Sequence, residues 1–193
     1  MDWGSAFQFQ FKDKDWLKKI LIGGVMFIIP IFGWLVILGY AVETAKNVKN
    51  GQDTPLPEWE DWGGRFMTGL LAFVTIFIYA IPGILIGLIP CIGTIINIAY
   101  SFLVIPTAYI QFLKHGDIGG ALNINEAVGF IKVNWVNLLL VSLMNFVLCI
   151  CAMLGFIALC VGILFTAFWA QLGYANLVGQ LWKITEPSQP AAA

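Results

Sequence analysis

Residues 66–113 read FMTGLLAFVTIFIYAIPGILIGLIPCIGTIINIAYSFLVIPTAYIQFL, a run of 48 residues without Asp, Glu, Lys or Arg. One helical membrane crossing needs about 20 apolar residues, because each residue adds about 1.5 Å. The run is therefore long enough for two crossings. Pro90-Cys91-Ile92-Gly93 lies near its middle. Proline removes a helical donor and glycine permits a sharp reversal, so this tetrapeptide predicts the tip of a helical hairpin.

Two further charge-free runs flank this one, at residues 20–42 and 133–182. The second has 50 residues and is divided near its middle by Met153-Leu154-Gly155, which predicts another hairpin tip. Across the chain 60% of the residues are hydrophobic and 11% are charged, whereas soluble domains average about 45–50% and about 25%. Backbone in hydrocarbon must be hydrogen-bonded internally. The chain is therefore predicted to be an all-α integral membrane protein.

The shortest run, residues 20–42, supports two alternatives. It contains Pro30-Ile31-Phe32-Gly33, which repeats the Pro-x-x-Gly pattern of residues 90–93. One alternative is a single kinked crossing that uses all 23 residues of the run. The other is a re-entrant hairpin with arms at residues 16–29 and 34–48, each about 21–22 Å long. We favour the hairpin, because it places all ten Lys and Arg residues on one face of the membrane.

The predicted architecture is an all-α integral membrane fold with five or six transmembrane or re-entrant helices. They form three hairpin-like units, joined by interfacial helices. We assign residues 1–186 to a single helical membrane domain and residues 187–193 to a disordered tail. The predicted location is the plasma membrane, with several passes. Because Lys and Arg accumulate on the cytoplasmic side, the loops and both termini are predicted to be cytoplasmic.

The polar loops at residues 53–65 and 117–135 are predicted to form interfacial helices. In the second loop Asn123 and Glu126 resemble a helix cap, and four apolar residues share one helical face. Those four residues are Ile124, Ala127, Val128 and Ile131. Tryptophan side chains collect at membrane–water interfaces. The predicted membrane-interface anchors are Trp16, Trp59, Trp62, Trp135 and Trp182.

Small and neutral polar residues within the apolar runs lead to two further predictions. Gly83-x-x-x-Gly87 and Ala175-x-x-x-Gly179 are small-residue faces, which pack helices within one chain or pair two chains. Three neutral polar residues either form hydrogen bonds between helices or line a path for a neutral solute. They are Asn97, Asn145 and Gln171. The sequence leaves both pairs of alternatives open.

The residue inventory predicts no catalytic, cofactor-binding or metal site. His115 is the only histidine, and the four cysteines lie in apolar runs, where a free cysteine behaves as a small hydrophobic residue. The sequence does not suggest a group of acid, base and nucleophile, so the chain is predicted not to be an enzyme. The net charge of -1 gives no electrostatic reason to bind nucleic acid.

A family resemblance covers nearly the whole chain. It is carried by FKDKDWLKKI at 11–20, Gly23-Gly24, Ile29-Pro30, Gly39-Tyr40, Gly51 before PLPEW at 55–59, and Gly69. With these motifs the chain resembles an uncharacterised family of prokaryotic multi-pass membrane proteins, catalogued as a domain of unknown function. The resemblance implies a compact helical membrane domain without an established activity. The chain is more faintly similar to the membrane domains of glycerophosphodiester phosphodiesterases, whose chemistry is not carried over.

These features together predict a non-enzymatic accessory or assembly protein of a prokaryotic plasma membrane. Its expected partners are the lipid bilayer and either a second copy of the chain or another membrane protein. The alternative is a passive channel or transporter for a neutral or lipid-like solute. A continuous polar cavity would favour transport, whereas a sealed helical bundle would favour assembly.

Overall fold

The computed structural model describes residues 1–90, 92–157 and 162–186. These ranges are mostly helical and contain no β-strand, which confirms the all-α prediction. The helices are α1 (Ser5–Gln8), α2 (Trp16–Met26), α3 (Phe32–Lys49), α4 (Trp62–Gly87), α5 (Ile92–His115), α6 (Ile118–Ala121), α7 (Ile124–Met153) and α8 (Gly162–Thr185). Two short 3-10 segments, Phe9–Lys12 and Leu154–Ile157, follow α1 and α7.

Three segments of the described chain are long and apolar enough to cross a membrane, namely Trp62–Gly87, Ile92–His115 and Ile124–Phe156. The first two are α4 and α5, which occupy the two halves of the run at residues 66–113. Their 26 and 24 residues correspond to about 39 and 36 Å, whereas a hydrocarbon core is about 30 Å thick. The chain therefore has the apolar helices expected of a membrane protein.

The chain divides into two compact units. Unit 1 contains Met1–Gly69 and the described residues from Met144 onward, and unit 2 contains Leu70–Leu143. Helices α4 and α7 each begin in one unit and end in the other. The assignment of residues 1–186 to a single domain stays a prediction.

The hairpin tip expected at residues 90–93 is present between α4 and α5. The Ile92 amide donates to the Pro90 carbonyl at 2.7 Å. A Cβ atom at Gly93 would overlap the Ile86 carbonyl oxygen. Glycine is needed at this position because the backbone of α4 approaches so closely.

The same turn joins α2 to α3 in the first charge-free run. The Phe32 amide donates to the Pro30 carbonyl at 2.7 Å, and a Cβ atom at Gly33 would overlap the Met26 carbonyl oxygen. Ile31 has a φ of 64°, a value that β-branched residues rarely adopt. This bonding pattern is that of a γ-turn, which is strained for such a residue.

Helices α2 and α3 form an antiparallel hairpin rather than one kinked helix. Near the tip, the Trp34 indole N–H donates to the Phe27 carbonyl at 3.1 Å. At the open end, Lys19 of α2 and Tyr40 of α3 bond to neighbouring carbonyls of one loop, at 3.1 and 2.8 Å. The 11 residues of α2 and 18 residues of α3 correspond to about 17 and 27 Å. The placement of this hairpin in a bilayer stays a prediction.

Helix α8 packs against both arms of this hairpin within unit 1. Gly23 and Gly24 of α2 leave room for the rings of Phe168 and Phe165, and Gly179 of α8 lies against the α3 backbone. Burial of one large apolar side chain contributes about 1.5–3 kcal/mol, so this contact is a main stabilising element of the unit. The buried core consists of Phe9, Ile20, Ile37, Tyr40, Leu56, Phe168 and Leu172.

The prediction of an interfacial helix at residues 53–65 is wrong for its first part. Residues 53–61 are not helical, and α4 begins at Trp62. Pro55 and Pro57 lack amide donors, which disfavours a helix here. Their carbonyls accept hydrogen bonds from the side chains of α3 instead. Tertiary contacts therefore hold this loop in an extended conformation.

The segment at residues 117–135, predicted as an interfacial helix, is mostly helical and is continuous with the apolar helix that follows, and its position at a membrane interface stays a prediction. The four-residue α6 is followed by one continuous helix, Ile124–Met153, whose 30 residues correspond to about 45 Å. The predicted cap is confirmed, because the Glu126 amide donates to Asn123 Oδ1 at 3.3 Å. The amphipathic segment is therefore the first part of a long apolar helix.

The helix break expected at residues 153–155 is confirmed for the end of α7. Helix α7 ends at Met153 and the 3-10 segment Leu154–Ile157 follows. Helix α8 begins at Gly162. Residues 158–161, and the predicted disordered tail at residues 187–193, lie outside the described residues.

Candidate functional site

Charged side chains of α2, α3, α4 and the loops beside them gather at one end of unit 1. We call this group the polar cap; its members are Asp13, Lys19, Glu43, Glu58 and Arg65. Both cations are almost fully buried. A buried charge is destabilising unless it is paired and hydrogen-bonded. Each cation is accordingly paired with carboxylates, Lys19 with Asp13 and Glu58, and Arg65 with Glu43.

Lys19 is the cation of the first ion-pair group. Its ammonium donates to Asp13 Oδ2 at 2.8 Å and to the Leu56 carbonyl at 3.1 Å, and it lies 2.6 Å from Glu58 Oε1. Burial by itself lowers the pKa of this ammonium. The hydrogen bonds to Asp13 and Glu58, with their negative charges, outweigh burial and raise the pKa of Lys19 above its usual value. Lys19 therefore stays protonated and fastens the loop to α2.

Arg65 is the cation of the second group, in the first turn of α4. Its Nε donates to Glu43 Oε2 at 2.9 Å and its Nη1 donates to the Glu60 carbonyl at 3.0 Å. The guanidinium carbon also lies 5.0 Å from the centre of the Tyr40 ring, within the range of a cation–π contact. Arg65 thus joins α3, α4 and the loop between them.

An aromatic stack supports the two ion-pair groups. The Trp59 ring lies 4.3 Å from Tyr40 and 5.2 Å from Trp62, nearly parallel to both. The Trp59 indole N–H donates to the Lys19 carbonyl at 3.0 Å. Because Trp59 and Trp62 contact each other directly, no space is left between them for a ligand. The pair is a packing element and not an aromatic cage.

An open cleft of about 380 Å³ lies beside the polar cap. Four carboxylates and two cations are among its lining residues, so the cleft is acidic overall. Its lining residues are Gly39, Val42, Glu43, Lys46, Glu58, Glu60, Asp61, Gly64, Arg65 and Thr68. Within the described ranges, no group of three or more His, Cys, Asp or Glu side chains is arranged to hold a metal ion. The cleft suits solvent or a cationic group.

A second cavity, of about 400 Å³, lies within unit 2 among α4, α5 and the start of α7. It is lined almost entirely by apolar atoms, and we call it the apolar cavity. Its lining residues are Ile78, Tyr79, Pro82, Tyr100, Val104, Leu122, Ile124, Ala127, Val128 and Ile131. The volume is within the range of small-molecule sites, about 300–1,000 Å³. The cavity suits an apolar molecule.

The two tyrosines of the apolar cavity already have hydrogen-bond acceptors. The Tyr79 hydroxyl donates to the Ala121 carbonyl and the Tyr100 hydroxyl donates to the Tyr79 carbonyl, both at 2.8 Å. Pro82 has no amide hydrogen, so the Ile78 carbonyl next to that of Tyr79 lacks its usual helical donor. The hydroxyls therefore stabilise the walls, and a ligand would meet apolar surface.

An ion-pair group connects α5 and α7 within unit 2. Lys114 Nζ donates to Glu126 Oε1 at 3.2 Å, and His115 Nε2 lies 3.1 Å from Glu126 Oε2. The Lys114 ammonium also lies 5.0 Å from the centre of the Phe130 ring. These contacts hold the beginning of α7, whose apolar face forms one wall of the cavity. The single histidine is thus part of a structural contact.

The structure gives the five predicted interface tryptophans different surroundings. Trp62 and Trp135 are exposed, whereas Trp16 and Trp59 are half-buried and Trp182 is buried. The Trp182 ring lies 3.6 Å below the Lys49 ammonium, and its indole N–H donates to Glu186 at 3.1 Å. Their role as membrane anchors stays a prediction for all five.

Both small-residue faces pack helices within the chain. A Cβ at Gly83 or Gly87 would meet the Asn97 side chain of α5, and Gly179 lies against α3.

The three residues of the predicted polar path lie in different units. Asn97 lies in unit 2, where its Oδ1 accepts a hydrogen bond from the Ser101 hydroxyl at 3.3 Å. Asn145 and Gln171 lie in unit 1. The path for a neutral solute stays a prediction.

The sequence analysis missed the Lys19–Glu58 ion pair of the polar cap and the two tyrosines of the apolar cavity. The Lys19–Glu58 pair joins residues that are far apart in the chain, and no local pattern indicates it. The apolar face of Ile124, Ala127, Val128 and Ile131 is visible in the sequence, and it lines the cavity. Tyr79 and Tyr100 have no comparable local signal, because their hydrogen bonds join residues that are far apart in the chain.

Comparison with protein-family models finds a match over residues 22–101 to a family described as Protein of unknown function (DUF4013). The matched residues include both Pro-x-x-Gly tips, the polar loop and the first half of α5. This part of the chain is similar to an uncharacterised family, in agreement with the resemblance given above. No curated protein and no solved structure matches the chain. The similarity to glycerophosphodiester phosphodiesterases finds no support in these comparisons.

Proposed function

We propose that the protein is a non-enzymatic accessory protein of a prokaryotic plasma membrane that holds a lipid-like molecule in the apolar cavity of unit 2. The observation that carries this proposal is the nature of the cavity wall. It is apolar, and its two hydroxyl groups already donate to backbone carbonyls. A polar ligand would lose its hydration there without new hydrogen bonds, whereas a hydrocarbon chain would lose nothing.

The surroundings of the cavity support a membrane lipid as its occupant. In the part of the chain that the structure describes, α4, α5 and the segment Ile124–Phe156 that contains α7 are long and apolar enough to cross a bilayer. Acyl chains are therefore the apolar molecules at the highest concentration around them. Filling an apolar void restores the dispersion contacts that its lining atoms lack. A bound chain would thus stabilise unit 2 as a fixed component of the protein.

Passive transport of a neutral or lipid-like solute is the second candidate, and the same cavity favours it. Transport requires that the molecule leaves on the other side of the membrane. An accessory role requires only that the molecule stays bound. Transfer of a labelled phospholipid between the leaflets of sealed vesicles separates the two functions. We expect no protein-dependent transfer, and a clear transfer rate would favour transport.

The binding proposal is tested with phosphatidylcholine that carries a photoreactive diazirine in one acyl chain. The purified protein is reconstituted in vesicles of this lipid, irradiated and mapped by peptide mass spectrometry. We expect labelling of the segments at residues 78–82 and 122–131. In Val128→Trp the larger ring fills the cavity, so this labelling should fall by about a factor of five to ten, as for about 1–1.4 kcal/mol of lost affinity.

Val133→Trp is the matched control, because Val133 lies on the same helix and is 81% exposed, away from the cavity lining. It should leave the labelling of both segments unchanged. Val128 is itself 43% exposed, so its replacement should be tolerated by the fold. Equal labelling in the two variants would contradict a lipid inside the cavity.

A further inference from the structure

A groove of about 540 Å³ runs between α2 and α8 in unit 1, and it shares no lining residue with the apolar cavity. It is open along its side and is lined almost entirely by apolar atoms. Its lining residues are Phe11, Trp16, Leu17, Ile20, Leu21, Cys151, Phe165, Thr166 and Trp169. The Trp16 ring meets Phe11 edge-on at 4.8 Å, which keeps one wall of the groove ordered.

The outer face of α2 continues this apolar surface. Leu17, Leu21 and Val25 are spaced by four residues, so they lie on one face of the helix. Each is about half exposed. The groove and this face together form a strip that a hydrocarbon chain could follow along α2.

Exposed cations lie at the N-terminal end of the strip. Lys14 and Lys18 are exposed, and Lys18 directly follows the groove-lining Leu17. The neighbouring Asp13 is buried and paired with Lys19. Asp15 is the one other acidic residue between residues 12 and 19, against the three exposed lysines Lys12, Lys14 and Lys18. The end of the strip is therefore positively charged.

We propose that this groove binds an anionic phospholipid, with one acyl chain along α2 and the phosphate at Lys14 and Lys18. The pairing of an apolar strip with a cationic end matches the two parts of such a lipid. Lysine side chains extend toward headgroups while their stems cover apolar surface. A lysine near an anionic membrane surface strengthens attachment about fivefold. A neutral lipid fills the groove but gains nothing from the lysines.

Cys151 is a direct reporter of occupancy, because it is a free thiol that lines the groove. The other cysteines are replaced in Cys91→Ala, Cys149→Ala and Cys160→Ala. The rate of alkylation by uncharged N-ethylmaleimide is then measured in phosphatidylcholine vesicles with and without phosphatidylglycerol. We expect phosphatidylglycerol to slow alkylation roughly fivefold or more. The neutral reagent is not attracted or repelled by the membrane charge.

The double variant Lys14→Gln with Lys18→Gln should remove most of this protection. Its matched control is Lys132→Gln with Lys183→Gln, which removes two exposed lysines elsewhere and should keep the protection in full. Both pairs are exposed, so circular dichroism should show intact folding. Absence of protection by phosphatidylglycerol, or equal protection in the two double variants, would overturn the site. Protection by inorganic phosphate alone would also overturn it as a lipid site.

Discussion

The two helical hairpins joined by Pro-x-x-Gly share one turn and differ in their arms. In each turn an amide donates to the proline carbonyl at 2.7 Å, and the glycine lies against a backbone carbonyl. Helices α4 and α5 have 26 and 24 residues, whereas α2 and α3 have 11 and 18. The turn reverses the chain in both places. Arm length and packing, rather than the turn, distinguish a hairpin that is long enough to span a membrane from a short one.

The packing of the arms differs as clearly as their length. Both arms of the first hairpin are covered by α8, where Phe168 is fully buried. Helix α4 instead presents large apolar side chains such as Phe73, which is 50% exposed. Isolated helices shorter than about 12–15 residues are marginal, so most of their stability comes from tertiary packing. We therefore expect the first hairpin to depend more on tertiary contacts than the second.

The largest effect is expected from a substitution that removes the packing of α8 against the first hairpin. Phe168→Ala should lower the free energy of unfolding by about 3–5 kcal/mol, because it leaves a cavity against Gly23 and Tyr40. Phe73→Ala, on the exposed face of α4, should change it by about 0.5 kcal/mol. Denaturant unfolding in detergent micelles measures both. Equal losses would show that the two hairpins depend on cover to the same extent.

An intermediate effect tests whether the two turns are equivalent. Gly33→Ala and Gly93→Ala should each lower the free energy of unfolding by about 1–3 kcal/mol, because the added methyl group overlaps a backbone carbonyl. Gly63→Ala is the control, since a Cβ there meets open space. It should raise stability by about 0.5–1 kcal/mol through helix propensity. Tolerance of alanine at only one tip would mean that the turns differ.

The smallest expected effect concerns Lys19, the cation of the polar cap that belongs to the first hairpin. The folded state raises the pKa of Lys19, so its contribution is complete below the usual lysine pKa and is lost as pH rises through the raised value. Stability should fall as the pH rises above the usual lysine pKa of about 10.4, by less than about 1 kcal/mol because Glu58 is exposed. Thermal unfolding follows it. Lys19→Met should lack this step and Lys18→Met should keep it.

The parts of the fold that the sequence predicted well depend on neighbouring residues. The tips at Pro30 and Pro90 follow from a missing donor and a small residue three positions later. The cap at Asn123 requires only the amide of Glu126. The interfacial helix predicted at residues 53–65 is wrong over residues 53–61 for the opposite reason. Its carbonyls accept hydrogen bonds from Lys19, Tyr40 and other side chains that the local pattern does not contain.

The sites were less predictable than the helices. One wall of the apolar cavity is visible as the face from Ile124 to Ile131, because that segment alternates apolar and polar residues with helical spacing. Tyr79 and Tyr100 could not be identified as cavity residues, since their hydroxyl hydrogen bonds join residues 42 and 21 positions apart in the chain. The Lys19–Glu58 contact at 2.6 Å requires the hairpin and the loop to fold first.

The amino-acid sequence by itself determined that this chain is helical, membrane-compatible and reversed at Pro-x-x-Gly. The runs without charged residues, the missing proline amides and the glycines of the tips are properties of contiguous stretches of the chain. Their consequences therefore do not depend on the remaining fold. Only the tertiary structure decided which faces pack, which charges pair and where space remains. An all-round apolar helix has no preferred face of its own. The apolar cavity and the α2–α8 groove therefore arise only when specific helices meet.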